Sequence, residues 1–276
     1  MPEPTAFPRP SVVALAASAL ILTACQREEA PPPAKAAPEV AEAPPAKPAP
    51  SPTLNRVDLL RAMERAASAY AAGEQPSGEG LAGRRFVVRQ AFGCDGPSPP
   101  TAAEAPGDGL GRWSWGRERK TIQVDLMPGD WSDSPLIAGG ADNWEAAEGI
   151  WLSRPWLHAE GCPGAGGDPL ASGPAAPSPE TAGIAAVFEA DGSRLGRRNG
   201  RAYSVVLRGE GDSMAAPAGG YRLVLEGRLT AYKNGRAVRC RASSPDQRPV
   251  CIAAAVVDRV AFEDAEGAVL GEWRAG

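Results

Sequence analysis

A single histidine restricts the chemistry open to this 276-residue chain. His158 stands in an alternating His158-x-Glu160-x-Cys162 set, and on a strand those three side chains would share one face. Imidazole, carboxylate and thiolate are all zinc ligands, so three members of a tetrahedral set are in place. The set reads more simply as a surface histidine beside a bridged cysteine, and no metal is expected. A Ser-His-Asp triad would also need His158, and no serine sits in a G-x-S-x-G elbow. Carboxylate pairs of the kind that cleave glycosides occur at Asp130/Asp133 and Glu145/Glu148. In an acidic chain such pairs read as solvated turn residues. No glycine-rich phosphate loop precedes a helix. Neither a catalytic residue nor a cofactor is expected. The formal charge of -4 leaves no basic footprint for nucleic acid.

Cysteine placement says more. The chain opens with an apolar stretch, Val12 to Leu22, that is long enough for a secretory core and too short to span a bilayer. It runs directly into Leu22-Thr23-Ala24-Cys25. This segment resembles the lipobox of bacterial lipoproteins: a leucine, two small residues and an obligatory cysteine. The resemblance covers only the export signal. It implies cleavage after residue 24, a diacylglycerol on the Cys25 thiol and an acylated new amino terminus. One acyl chain holds a protein marginally at about 0.8 kcal/mol per buried methylene, whereas two or three anchor it. The n-region departs from the pattern, with Glu3 and four prolines around Arg9. Gln26 follows the cysteine where the inner-membrane retention signal of the class carries aspartate, which implies the outer membrane.

With Cys25 lipidated, Cys94, Cys162, Cys240 and Cys251 remain, an even number in an exported chain. Three connectivities are open. Cys240 and Cys251 flank a short loop between two strand-like segments and are expected to pair. Cys94 and Cys162 each begin a long loop, and their bridge would pin both loop bases. A metal site from the four would need a C-x-x-C spacing that is absent.

Six of the seven tryptophans lie between Trp113 and Trp156. Trp113 and Trp115, two apart, would share a strand face with Arg117. Indoles in a Gly-, Ala- and Pro-rich chain are expected first as core fillers. The alternative is a recognition surface of Trp113, Trp115, Arg117, Trp151 and Trp156 for an envelope glycan or protein.

These residues need elements to position them. Residues 25–53 hold the lipidated cysteine and a linker with nine prolines and eight alanines between Gln26 and Thr53. Such a segment buries too little to order itself, and proline biases it to an extended tether of about 90 Å. A helix is expected at 54–72, with Asn55 as N-cap, Asp58 three residues on and Gly73 as the stop. Its apolar stripe would be Val57, Leu60, Met63, Ala67 and Tyr70. Strand patterns follow at 84–92, 120–127, 182–190, 201–209, 221–232, 237–242, 250–264 and 268–274, with Asn234-Gly235 as a hairpin turn. Residues 93–111 and 161–183 are long Gly/Pro-rich loops whose composition favours disorder. The fold expected for 54–276 is one mainly β domain, an antiparallel sandwich or barrel-like sheet with one N-terminal helix. The function expected is a non-catalytic envelope lipoprotein facing the periplasm. A glycan-binding module and an envelope hydrolase are the alternatives.

Overall fold

The structure, a computed structural model, describes residues 51–74, 80–99, 105–163, 180–192, 196–209, 211 and 213–275. They belong to one compact unit that begins at Ala49. The lipobox with Cys25 and the linker as far as residue 50 lie outside the described residues, as do 164–179 of the second long loop.

Helix α1 (Arg56–Ala71) starts where its cap dictates. The Asn55 side chain accepts the Asp58 N–H, and the Asp58 carboxylate accepts the Asn55 N–H. This reciprocal pair satisfies two amides the helix itself cannot. Gly73, at φ 69°, ends it. The buried stripe differs from the expected one. Arg56, Leu59, Leu60, Ala62, Met63 and Ala66 face inward, while Tyr70 is exposed and its hydroxyl accepts the Ala242 N–H at 3.3 Å. Alanines at 62 and 66 let the backbone come close to the sheet, so the helix turns that side down.

Among the described residues eleven strands form two sheets. The larger contains β1 (Arg85–Phe92), β4 (Gly129–Asp130), β5 (Trp144–Trp151), β6 (Ala182–Glu189), β8 (Tyr221–Leu229), β9 (Val238–Arg241), β10 (Val250–Glu263) and β11 (Val269–Arg274). The smaller contains β2 (Gly111–Trp115), β3 (Thr121–Leu126) and β7 (Tyr203–Arg208). The described residues are mainly β with a single α-helix ahead of the strands, and neither sheet closes into a barrel. One core joins α1, the inner face of the large sheet and the small sheet, through side chains such as Leu60, Phe86, Val124, Leu223 and Phe262. A second cluster covers the other face around β5 and β6, where Ile137 and Tyr232 meet Ala185 and Ile252.

Strand β10 is the spine, and both of its edges change partner midway. Ala255 pairs with Leu229 of β8 and Ala186 of β6, so those strands lie on opposite edges. Ala253 pairs with Val238 of β9 and Ile184 of β6, placing β9 on the β8 edge. Val260 pairs with Leu225 of β8 and Trp273 of β11, placing β11 on the β6 edge. The Asn-Gly turn therefore joins no hairpin between β8 and β9. Lys233–Gly235 makes a turn closed by Gly235 N–H to Tyr232 O, and the chain returns to continue along the same edge of β10. One pairing also departs from the antiparallel expectation, since β6 runs parallel to β10.

Strand β5 carried no strand signal. Its Glu-Ala-Ala-Glu-Gly centre does not alternate because residues 146–150 are buried on both faces. On one face the Trp131 indole lies so close that a Cβ at Gly149 would stand 1.9 Å from it. Glycine there is what lets a large ring cover the strand.

Candidate functional site

The residues singled out from the sequence do not form one site. Trp113 is 1% exposed and donates its indole N–H to Gly93 O at 3.1 Å. Trp115 is half-buried and meets Trp113 edge-on at 5.2 Å, with Arg119 above its ring; Arg117 is exposed. Trp151 packs against Trp131 at 4.7 Å in the second cluster, on strand β5 of the other sheet. Among the four tryptophans of the expected surface only Trp156 stands out, at 46% exposed. Apart from Trp156, the tryptophans are divided between two packed clusters, and Trp113 is inaccessible. The core-filling expectation describes them, and the shared recognition surface does not.

The His158 set is not on a strand. Residues 152–163 run as an irregular segment pinned from three sides. The buried Arg56 guanidinium donates to the carbonyls of Ser153, at 2.6 Å, of Arg154 and of Leu157. Buried Gln90 donates to Trp151 O at 2.9 Å and accepts the Ser153 N–H at 3.0 Å. Arg154 reaches the Asp95 carboxylate at 2.7 Å. His158 and Glu160 project to solvent at the end of this segment, and Cys162 is bridged to Cys94. Among the described residues no group of three His, Cys, Asp or Glu side chains could hold a metal ion. The second bridge joins Cys240 and Cys251, which face each other in the β9–β10 register.

The acidic pairs need a correction. Asp130 ends strand β4 opposite Glu148, its carboxyl held below the usual range by the hydroxyl and N–H of Ser132, and Asp133 is the exposed turn residue. Glu145 and Glu148 are not turn residues. Both lie on β5 and reach the same segment: Glu145 pairs with Arg197 at 3.1 Å, and Glu148 accepts the N–H groups of Arg198 and Asn199 at 2.8 and 2.9 Å. Glu148 is buried, and burial pushes its carboxyl above the ordinary range, offset in part by those two N–H donors and by Arg197 and Arg198. Burial and the nearby Glu148 carboxylate push the Tyr203 phenol up to about 12.

A carboxyl raised on folding binds its proton more tightly in the native state. Its penalty is absent below the unfolded value and fully present above the folded one. Glu148→Gln keeps an oxygen for both N–H donors and removes the charge. The variant is expected to match or exceed the wild-type urea midpoint at pH 7. That advantage should vanish as pH falls to the ordinary glutamate value. A midpoint clearly below wild type at pH 7 would show that the charge itself holds the 197–199 segment.

Beside this carboxylate lies the feature that sequence reading missed. On one edge of β10, β6 pairs only as far as Ala255 and β11 begins only at Arg259. Because β6 runs parallel and β11 antiparallel to β10, their C-terminal ends converge on the gap. The register shift between Val257 and Arg259 falls in the same place. The strands cannot close over that break, and an open cleft of about 160 Å³ remains. Its walls are Phe188, Tyr203 and Trp273, and Tyr203 meets Trp273 edge-on at 5.2 Å. Arg198 lies over the Tyr203 ring at 4.8 Å. Asp258, Arg259 and Arg274 stand at the rim. Bulges and strand switch points are recurrent places for ligand crevices because they aim side chains away from the regular pleat. No local sequence signal marks this cleft, since its residues come from four separate segments.

Comparison with known proteins finds no matching family model, no similar curated protein and no similar solved structure.

Proposed function

We propose that this chain is a non-catalytic envelope lipoprotein, a binding or scaffolding domain that faces the periplasm and is tethered by lipid on Cys25, with the outer membrane as its site. The observation that carries the reading is the use of cysteine. Four of the five are joined in two bridges within the domain, so Cys25 is the one cysteine outside both, and it stands in the lipobox position. Disulfides belong to an oxidising compartment, which supports export. The tether fits the same picture. Leu54 pairs with Phe86 of β1 and so ties the start of the domain to the large sheet, and residues 26–53 serve in this reading as the spacer between lipid and domain. Among the described residues no helix is long and apolar enough to cross a membrane.

The test is metabolic labelling with an alkyne palmitate followed by fractionation. The wild-type chain is expected in the membrane fraction, labelled, with an intact mass that begins at Cys25. Reduction should raise that mass by four hydrogens, two per bridge. Cys25→Ser should lose the label entirely. Palmitate retained by Cys25→Ser, or a wild-type mass without lipid, would end the anchoring proposal.

A further inference from the structure

From the cleft where β6 hands over to β11 we infer a saccharide site, one that takes a single neutral pyranose ring of an envelope glycan. This rests on the binding-domain reading above and names its ligand class. The volume decides the size: about 160 Å³ is well below the space a drug-sized ligand fills, and it suits one small ring.

The walls decide the character of that ring. Phe188, Tyr203 and Trp273 give an aromatic enclosure over an apolar floor of Ala186, Val257 and Val260. A sugar presents C–H faces that pack on aromatic rings while its hydroxyls point outward around the edge. The rim supplies what such hydroxyls need, donors and an acceptor together. Arg274 has a side chain 64% exposed and donates through its Nε to Glu272 at 2.6 Å. Asp258 has a side chain 40% exposed, and its carboxylate stands 3.8 Å from Arg85.

The charge balance decides against an anion. Arg259 is clamped between Glu226 at 2.5 Å and Glu272 at 2.7 Å, so its charge is answered before any ligand arrives. Arg198 donates to the Ala202 carbonyl at 2.9 Å and sits beside the Glu148 carboxylate. A carboxylated or phosphorylated ring would meet a rim that is already neutralised and would lose hydration for little return. A neutral hydroxylated ring has no such cost.

The experiment uses the full mature chain carrying Cys25→Ser. The probes are the methyl glycosides of glucose, galactose and N-acetylglucosamine, with benzoate as a planar anion. Saturation-transfer NMR is expected to give a saturable signal from at least one glycoside, with a dissociation constant on the order of 1 mM, as suits one small ring. Arg274→Ala and Asp258→Asn should each weaken it about three- to tenfold, the loss of one hydrogen bond, with unchanged urea midpoints. Benzoate binding without glycoside binding would overturn the saccharide assignment. A glycoside signal indifferent to both rim variants, or no signal at all, would overturn the site. None of these outcomes touches palmitate labelling, so the anchor stands or falls separately.

Discussion

Trp113→Ala is expected to lower the unfolding free energy by about 3–5 kcal/mol, the range for truncating a fully buried large aromatic side chain. Trp113 is 1% exposed and reaches the main core from the centre of β2. Its indole lies on Gly93, where a Cβ would stand 2.2 Å from the ring and where φ is 66°. The ring also meets Trp115 at 5.2 Å and Tyr221 at 6.3 Å, so its loss opens a cavity that backbone cannot fill. Removal also strands the Gly93 carbonyl, which now accepts the indole N–H. Urea denaturation of wild type, Trp113→Ala and Trp113→Phe separates the two contributions. The phenylalanine variant restores most of the volume and none of the hydrogen bond, so its midpoint should fall between the others. An alanine variant as stable as wild type would mean that the indole fills no essential space, and the surface reading of the tryptophans would return.

That contrast shows where sequence is informative about this fold. The start of α1 was legible because its cap is local chemistry, Asn55 and Asp58 satisfying each other across one turn. The inward side of α1 was legible in part: Leu60 and Met63 lie on it and Ala67 packs against the core, whereas Tyr70 is exposed and Leu59, Ala62 and Ala66 are buried instead. β3, β7 and β8 alternate and were visible; β2 and β4 were too short to be picked out, and β5 does not alternate, since Trp131 covers a face that a two-sheet protein would usually leave to solvent. Asn234-Gly235 signalled a turn correctly and a hairpin wrongly. A turn motif fixes the reversal of the chain, while β10 decides whether the flanking strands pair with each other or in succession with it. The cleft was invisible for the same reason. It arises from where β6 and β11 stop along one edge of β10, and no segment of the sequence carries that information alone.

The two disulfides should contribute unequally. Removing the Cys94–Cys162 bridge by double alanine substitution is expected to cost roughly 4 kcal/mol, and removing Cys240–Cys251 roughly 3 kcal/mol, from the entropy of closing the two loops. The difference follows from sequence separations of 68 and 11. The folded state gives a reason to expect the long bridge to act through the unfolded chain. Its neighbourhood is held without it: Arg56 and Gln90 fix residues 151–157, and Arg154 ties that segment to Asp95. Without the bridge the native geometry of that segment should persist, while the unfolded chain gains freedom. Urea unfolding should then show a lower midpoint together with a steeper dependence on denaturant, because an uncrosslinked chain exposes more surface. A loss of midpoint with unchanged steepness, and with new proteolytic cleavage within 152–163 of the folded protein, would place the effect in the native state instead. Cys94–Cys162 would then be a clamp on that segment, and the anchoring by Arg56 and Gln90 would be too weak to hold it alone.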